Sequence, residues 1–224
     1  MKTCKSCGAD LIPTDTSTPR RTFCGDSCRS AYRHKRAKEE EIDRNEWYSP
    51  PDIVDAARAV MGGVIDLDPA SCWRANHEIV KALDHYTKSD NGLKLDWKGR
   101  VWLNPPYGVL APKFFAKFCD EYEAERVSMA CILLGIHHLT TRWFQRVECF
   151  PHILCLPGGR LKFTGDLAQG NQPMHGSAIL GVGVNPKLFR NEFGSFGAIY
   201  RWEAPETAVP APAPAPLVLV SSRG

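Results

Sequence analysis

The stretch with the clearest chemical potential is RVWLNPPYG, residues 100–108, in which a strand-like run ends in an asparagine, two prolines and a tyrosine. Proline has no N–H to give to a sheet and fixes its own φ, so a buried strand must stop at Leu103. A residue before a proline is pushed out of the helical region, so Asn104 and Pro105 are both held extended. The sequence therefore predicts a rigid elbow that is poor in hydrogen bonds of its own.

Such an elbow suits the binding of a planar amino group. An amine that acts as a nucleophile needs acceptors for its two hydrogens, and the Asn104 side-chain oxygen and the Pro105 carbonyl oxygen can supply them. Pro106 fixes the direction of that carbonyl, and Tyr107 offers a flat face on which a base can stack, for roughly 1–3 kcal/mol. We therefore predict that Asn104, Pro105, Pro106 and Tyr107 are catalytic; a purely structural Pro-Pro turn is the alternative.

The sequence ahead of the elbow predicts a helix that helps to hold it. In WYSPPDIVDAARAVMGG, residues 47–63, Ser49 is a suitable N-cap and Pro50 suits the first helical position. Gly62 and Gly63 then end the helix. Its expected apolar face consists of Ile53, Val54, Ala57, Val60 and Met61.

A strand is expected next, over residues 64–68 (VIDLD), and Pro69 stops it. A helix followed by a buried strand that ends in an acid is typical of an α/β sandwich, and it places Asp68 at the carboxyl edge of the sheet, where ligands bind. We expect an open, largely parallel sheet. Its further strands are predicted over 100–103, 129–135, 152–156 and 178–184, with helices near 112–125 and 140–148.

Composition and length limit the classes of protein. With 224 residues, 43% of them apolar and 24% charged, the chain suits one medium domain with a small appendage. It has no apolar run of the roughly 20 residues that cross a bilayer and no apolar segment at its N-terminus, so we expect a cytoplasmic protein without a membrane partner. Nine cysteines in such a chain favour thiols or metal ligands over disulfides.

The positive charge is concentrated at the N-terminus. Residues 1–38 carry nine Lys/Arg against three Asp/Glu, a net charge of +6, whereas residues 39–224 carry nineteen against twenty-two, a net charge of −3. A local excess of this kind is typical of a surface that binds a polyanion. A solubilising arm is an equally good interpretation of the charge alone.

The basic arm also contains two cysteine knuckles, CKSCG and FCGDSC, in the pattern C-x2-C-x16-C-x3-C. This spacing predicts a zinc site of Cys4, Cys7, Cys24 and Cys28, whose metal would supply the folding energy of a segment too short for a core. Four unrelated core cysteines are the alternative, and His34 could replace one ligand. The stretch resembles short treble-clef or ribbon-like fingers, which bind nucleic acid or protein. Nucleic acid is favoured here by the cations Arg20, Arg21, Arg29, Arg33, Lys35 and Arg36.

These features divide the chain into four parts. We predict a zinc finger over residues 1–36, a charged linker over 37–46, the main domain over 47–203 and a Pro/Ala-rich disordered tail over 204–224. The alternating Pro-Ala of the tail cannot pack or form a helix, which favours an extended polyproline-like chain.

Six segments of the main domain share their order with one enzyme family. EWYSPPDIV, DLDPAS, DNGLKLDW, VWLNPPYG, TTRWF and GGRLKF together span most of residues 46–185 and resemble the phage-type DNA N6-adenine methyltransferases. NPPY alone resembles the (N/D)PPY motif of amino-methyltransferases, which use S-adenosylmethionine. The resemblance implies a Rossmann-like fold and methyl transfer to N6 of adenine in double-stranded DNA, inside a bacterial host cell.

The resemblance also assigns residues to the cofactor. It implies that the cofactor's methionine end lies at WYSPP, near a helix N-terminus suited to a carboxylate, and that the strand-end acid lies beside it. The residues implied are Trp47, Tyr48 and Ser49 at the methionine end, Asp68 and Pro69 at the strand end, and Asp96 facing the cofactor's adenine.

The chain departs from the wider methyltransferase pattern in two places. Most methyltransferases have a glycine-rich turn after the first acidic strand, and DPASCWRAN contains no glycine. The interval between Asp68 and Asn104 is short for two strand–helix units, which predicts a trimmed sheet. Asp84 is a candidate for the acid that binds the cofactor's ribose.

Other polar residues have less specific surroundings. Arg160 and Lys162 in GGRLKF suit a turn that contacts DNA phosphates, or equally an ordinary exposed hairpin. His137 and His138 are expected at the end of a strand rather than in a metal site. The remaining cysteines lack paired spacing and are expected to be core thiols: Cys72, Cys119, Cys131, Cys149 and Cys155.

Two other functions fit the same sequence. The amine-binding elbow would also serve methyl transfer to cytosine N4, to guanine N2 of RNA or to a glutamine amide of a protein. A catalytically silent methyltransferase fold, used as a zinc-dependent DNA-binding module, is the second, and the turn without glycine favours it. No obligate protein partner is evident.

Overall fold

The structure is a computed structural model that describes residues 3, 4, 6–10, 24, 25, 27–29, 32, 47–164 and 175–202. The predicted linker and the predicted Pro/Ala-rich tail lie outside the described residues, as does His34. Within the described parts of the chain, no helix combines the length and apolar character needed to cross a membrane.

The first helix of the main domain, α1 (Pro51–Val60), begins later than the sequence predicts. Its N-cap is Pro50, and Pro51 takes the first helical position, so the prediction that Ser49 caps the helix is wrong. The Ser49 side chain points instead towards the elbow, as described below. Ile53, Val54, Ala57, Val60 and Met61 are buried as predicted. Gly62 and Gly63 follow with positive φ angles of 77° and 87°, a conformation that glycine adopts without strain.

The described residues form seven strands: β1 (Leu67–Asp68), β2 (Asp84–His85), β3 (Gly99–Leu103), β4 (Val127–Gly135), β5 (His152–Pro157), β6 (Ser177–Val182) and β7 (Gly197–Trp202). They make one sheet in the order β2-β1-β3-β4-β6-β5-β7. Strands β2, β1, β3 and β4 are mutually parallel, while β6 runs antiparallel to β4 and β5, and β7 runs antiparallel to β5. Five strands thus share one direction, in agreement with a largely parallel sheet.

Helices cover both faces of the sheet and create two apolar layers. One layer contains side chains of α1 and of α4 (Pro186–Phe193). The other contains side chains of α3 (Ala111–Glu123) and of the 3-10 helix Phe144–Cys149. The molecule is therefore the α/β sandwich that the sequence predicts. A short helix α2 (Trp73–Ala75), which continues as a π-helix over Asn76–Val80, links β1 to β2.

The side chains of strand β3 point alternately into these two layers. Trp102 belongs to the layer of α1 and α4, whereas Val101 and Leu103 belong to the layer of α3. All three are fully buried, as expected for a central strand of a covered sheet. The alternation determines which layer the next residues approach, because successive side chains of an extended chain point to opposite faces.

Several elements differ from the sequence-based predictions. The regular part of β1 covers only two residues, and only one strand–helix unit separates Asp68 from Asn104, so the sheet is trimmed as predicted. Residues 140–148 do not form one helix, because 3-10 helices occupy Ile136–Thr140 and Phe144–Cys149. Cys149 at the end of the second of these is exposed, so its assignment as a core thiol is wrong; Cys72, Cys119, Cys131 and Cys155 are buried.

Candidate active site

The candidate site lies at the carboxyl edge of the parallel strands. Strands β1 and β3 are neighbours, with Leu67 opposite Val101, and both end at that edge. Asp68 therefore terminates β1 on the same side of the sheet on which Asn104 follows β3. Ligands of open α/β sheets bind outside the carboxyl ends of the strands, so both residues are placed where a ligand can reach them.

Asn104 is held by a side chain from outside the strand. Its Nδ2 donates a hydrogen bond to Ser49 Oγ over 3.0 Å, although the two residues lie 55 positions apart. Ser49 is buried, with 5% of its surface exposed, whereas Asn104 is partly buried. The hydrogen bond fixes the orientation of the Asn104 amide, and its Oδ1 is the atom that can accept a hydrogen from a ligand. The resemblance assigns Ser49 to the cofactor, and its hydrogen bond with Asn104 was not predicted.

The two prolines divide the elbow into a buried and an exposed part. Pro105 is buried, whereas Pro106 and Tyr107 are exposed. Tyr107 retains 45% exposure, so its ring is accessible to a planar group from solvent. Neither proline has an N–H that could take up a neighbouring carbonyl oxygen. The acceptor oxygens and an accessible aromatic ring thus lie within four consecutive residues.

Asp68 lies at the end of β1 with only 3% of its surface exposed. Burial raises the pKa of this carboxyl from 3.8 to about 7, although hydrogen bonds from the Ser71 side chain and the Ala70 N–H favour the charged form. The Ala70 nitrogen lies 3.2 Å from Asp68 Oδ1. Burial thus favours the neutral form of this carboxyl, and a cationic ligand beside it would favour its ionisation.

The aromatic segment before α1 is fixed by the loop after β5. Tyr48 and Thr164 exchange backbone hydrogen bonds of 2.8 and 3.0 Å. The ring centroids of Trp47 and Phe163 lie 6.0 Å apart in an edge-to-face arrangement. The segments WYSPP and GGRLKF, which are more than a hundred residues apart in sequence, therefore form one wall near the elbow.

Arg160 and Lys162 lie on this wall and are exposed. Their exposure is compatible with phosphate contacts, and the DNA-binding role stays a prediction. The arm cations Arg20, Arg21, Arg33, Lys35 and Arg36 lie outside the described residues.

A cation that sequence analysis did not select lies over the same aromatic segment. The guanidinium carbon of Arg74 is 5.9 Å from the ring centroid of Tyr48, within the range of a cation–π contact. Arg74 also forms an ion pair with Glu78, one helical turn further on. Arg74 lies within DPASCWRAN, the segment without glycine, and its contact with Tyr48 places a positive charge close to the segment WYSPP, which the resemblance assigns to the cofactor.

The segment DNGLKLDW is attached to the end of β1. A side chain at Gly92 would place its Cβ 2.1 Å from the Pro69 carbonyl oxygen, so only glycine permits this approach. Trp97 is fully buried and donates from Nε1 to the Gly92 oxygen over 2.8 Å. Tyr86 donates its hydroxyl hydrogen to the backbone oxygen of Asp96 over 2.7 Å, and the Asp96 carboxylate is exposed. These contacts place Asp96 on a segment held against the strand-end acid.

The two histidines after β4 lie in the 3-10 helix that follows the strand, as expected for strand-end residues. Their ring centroids are 3.9 Å apart, and the ring of His175 is 4.6 Å from that of His137. Burial is the main cause of a lowered pKa at His138. The three rings do not form a cluster of metal ligands.

The four N-terminal cysteines converge. Their sulfur atoms all lie within 4.8 Å of one another. Cys7 and Cys24 are separated by 3.7 Å, and Cys24 and Cys28 by 3.3 Å. Four thiolates around a tetrahedral zinc ion, with bonds of about 2.3 Å, would be separated by about 3.8 Å, so the arrangement fits this ion. A backbone hydrogen bond from Cys7 lowers the pKa of Cys4 to about 6, whereas the hydrogen bond between Cys24 and Cys28 raises the pKa of Cys24 to about 12. The fit to a metal therefore rests on the sulfur distances, and a bound ion would favour the thiolate form of these cysteines.

Fold and site together define a Rossmann-like methyltransferase sheet with a small N-terminal cysteine cluster. The family model described as DNA N-6-adenine-methyltransferase (Dam) matches residues 36–204. Because this match covers more than half of the chain, the protein belongs to the Dam family. Neither the curated proteins nor the solved structures contain a significant match.

Proposed function

We propose that this protein transfers a methyl group from S-adenosylmethionine to N6 of an adenine that has been extruded from duplex DNA. The observation that carries the proposal is the Asn104 amide, whose nitrogen is engaged by Ser49 while its oxygen is left to accept a hydrogen bond. An acceptor fixed in this way, next to the carbonyl of a buried proline, suits a planar amine. Membership of the Dam family supports DNA as the substrate and adenine as the base.

The residues at the sheet edge fit the cofactor. Asp68 is a buried carboxyl suited to a cationic ligand, and the N-terminus of the ten-residue helix α1 is suited to a carboxylate. We infer that Trp47, Tyr48 and the backbone of Ser49 hold the methionine end, while the Ser49 hydroxyl holds Asn104. We also infer that Asp68, Pro69 and Asp96 line the remainder of the cofactor site. When bound, S-adenosylmethionine supplies an electrophilic methyl group on a sulfonium.

The elbow then acts on the adenine amine. Asn104 Oδ1 and the Pro105 carbonyl oxygen accept the two N6 hydrogens, which favours the pyramidal nitrogen whose lone pair can attack. Extrusion of the base costs a few kcal/mol, and stacking on Tyr107 offsets part of that cost. Methyl transfer is accelerated because the amine is positioned for attack and because the positive charge that develops on N6 is stabilised. The elbow contains no carboxylate or histidine, so the proton of the product passes to solvent.

The proposal also covers the N-terminal arm, which contains the four cysteines. We propose that Cys4, Cys7, Cys24 and Cys28 bind one structural zinc ion and that the basic arm around them contacts DNA phosphates. The sulfur distances support a metal, and the net charge of +6 over residues 1–38 supports a polyanion. Deletion of the arm should reduce the salt dependence of DNA binding, because fewer counterions are released.

The test is methyl transfer from radiolabelled S-adenosylmethionine to unmethylated bacterial DNA, with identification of the modified base. We expect N6-methyladenine, and a loss of roughly 10²–10³-fold in Asn104→Ala, because one of two fixed acceptors is removed. Asn191→Ala is the matched control, since it changes an exposed asparagine of α4.

Three results would contradict the proposal, each in a different way. Methylated cytosine would identify another amine as the substrate. Absence of cofactor binding in calorimetric titration would favour a silent DNA-binding module. If a folded Asn104→Ala protein has an activity within about threefold of the parent, NPPY is only a structural turn.

A further inference from the structure

The loop that continues from the elbow exposes an unusual amount of apolar surface. Seven large hydrophobic residues are exposed among those described, and four of them follow the carboxyl ends of β3 and β4: Tyr107, Val109, Leu110 and Ile136. Val109 is 81% exposed, the highest value of the seven. Single exposed apolar residues are common, but several together at the edge of a candidate site indicate a surface that is covered in a complex.

The backbone of this loop presents the Val109 side chain to solvent. Gly108 has a positive φ of 83°, which allows the chain to turn sharply after Tyr107. Gly108–Leu110 then form one turn of 3-10 helix that runs directly into α3, whose first residue, Ala111, is buried. The tip is therefore anchored on both sides, by the buried Pro105 and by Ala111, while its apolar side chain points away from the core.

The surroundings of the tip favour a polyanion as the partner. No acidic residue occurs between Asp96 and Asp120, and the first turn of α3 also contains none. Lys113 in that first turn is exposed and forms no ion pair with any other described residue. An apolar tip next to a lysine and to the positive end of a 13-residue helix suits duplex DNA better than an apolar protein surface.

We propose that Val109 enters the base stack of duplex DNA and occupies the space that the extruded adenine leaves. The inference rests on the proposed function, because it requires an adenine to leave the helix and reach Asn104. Val109 lies five residues beyond Asn104, so the side chain that fills the stack and the acceptors that receive the base belong to one short rigid segment. Apolar side chains inserted between base steps stabilise unstacked DNA in other complexes.

The experiment compares two short duplexes whose target adenine has first been located by sequencing DNA treated with the parent protein. In one duplex the adenine faces thymine; in the other it faces an abasic site, so that less energy is needed to extrude it. Val109→Ser should lower the single-turnover rate by roughly tenfold on the paired duplex and by less than about twofold on the abasic one. Val109→Leu should retain the parent rate on both.

Leu83→Ser is the matched control, because Leu83 is 76% exposed and precedes β2 away from the elbow. A second measurement replaces the target adenine by 2-aminopurine, whose fluorescence rises when it leaves the stack; Val109→Ser should weaken that rise and Leu83→Ser should not. Circular dichroism verifies that each variant is folded.

An unchanged rate of Val109→Ser on the paired duplex, or an equal loss on both duplexes, would overturn the inference while leaving the proposed function intact. A parent protein that methylates no DNA would instead refute the proposed function, and the inference with it.

Discussion

Replacement of Ser49 by alanine tests how the elbow is held in place. The substitution removes the hydroxyl that accepts the hydrogen bond from Asn104 Nδ2 at 3.0 Å. Ser49 is 5% exposed, so water does not readily take the place of its oxygen. We therefore expect the Asn104 amide to lose part of its fixed orientation, while the fold persists because only one atom is lost and Ser49 does not cap α1.

The expected magnitude follows from the net contribution of one neutral hydrogen bond, about 0.5–1.5 kcal/mol. At about 1.4 kcal/mol per factor of ten, Ser49→Ala should lower the rate of methyl transfer by roughly 2–10-fold. This loss is well below the roughly 10²–10³-fold expected when an acceptor itself is removed in Asn104→Ala. The two variants are thus separable by rate alone.

The assay is single-turnover methylation of DNA with saturating cofactor, performed on the parent, on Ser49→Ala, on Asn104→Ala and on the double variant. If the hydroxyl acts through Asn104, Ser49→Ala has no further effect once Asn104 has been replaced. Ser49→Thr retains the hydroxyl and should restore most of the rate. Ser128→Ala, an exposed serine near the amino end of β4, is the matched control.

The refuting result is an equal loss from Ser49→Ala in both backgrounds. It would mean that the Ser49 hydroxyl itself contacts the cofactor or the base, rather than acting through Asn104. A matching rise in the dissociation constant of S-adenosylmethionine would then accompany the loss of rate. No such rise is expected if Ser49 is a positioning residue.

Three further predictions concern other parts of the molecule. Burial raises the pKa of Asp68 to about 7, so between about pH 4 and 7 the folded state holds a proton that the unfolded state has lost. The free energy of unfolding should therefore fall as the pH rises through this range. Denaturant titrations of Asp68→Asn should lack this pH dependence. Metal analysis of protein purified without chelator should find about one equivalent of zinc. A zinc content below about half an equivalent, or the same zinc content in Cys4→Ser, would contradict the four-thiolate site. Tyr107→Phe should bind target DNA like the parent in a fluorescence titration, whereas Tyr107→Ala should lose roughly 1–3 kcal/mol of base stacking; equal affinities would exclude the ring as the stacking surface.

The sequence predicted the parts of the fold in which local signals and burial agree. Strand β3 and helix α1 were predictable because prolines and glycines mark their ends and because their buried faces are continuous. Strand β7 was missed because its residues are mostly exposed, so no apolar run identifies it. Helix α4 was also missed, although the Asn185 side chain caps it by accepting hydrogen bonds from two backbone N–H groups, and Asn-Pro before an apolar residue was the available signal.

The sequence predicted which residues belong to the candidate site, but it did not predict the contacts between them. A motif specifies which side chains lie at one strand end, but the Ser49–Asn104 hydrogen bond joins residues 55 positions apart and depends on how α1 packs against β3. The same limit applies to Arg74 over Tyr48 and to Gly92 against Pro69. Such pairs are set by tertiary packing, which no local pattern encodes.

The structure also explains why a hydrogen-bond-poor elbow can be rigid. Trp102 packs in the layer of α1 and α4, and Leu103 packs in the layer of α3, so the end of β3 is clamped from both faces of the sheet. Asn104 then reaches Ser49 just ahead of α1, and Pro105 is buried. The orientation of the acceptors is thus determined by two apolar layers and one hydroxyl, and the elbow need not use its own carbonyl oxygens to hold itself. The proposed reaction needs two such oxygens, Asn104 Oδ1 and the carbonyl oxygen of Pro105, and neither proline has an N–H that would compete for them.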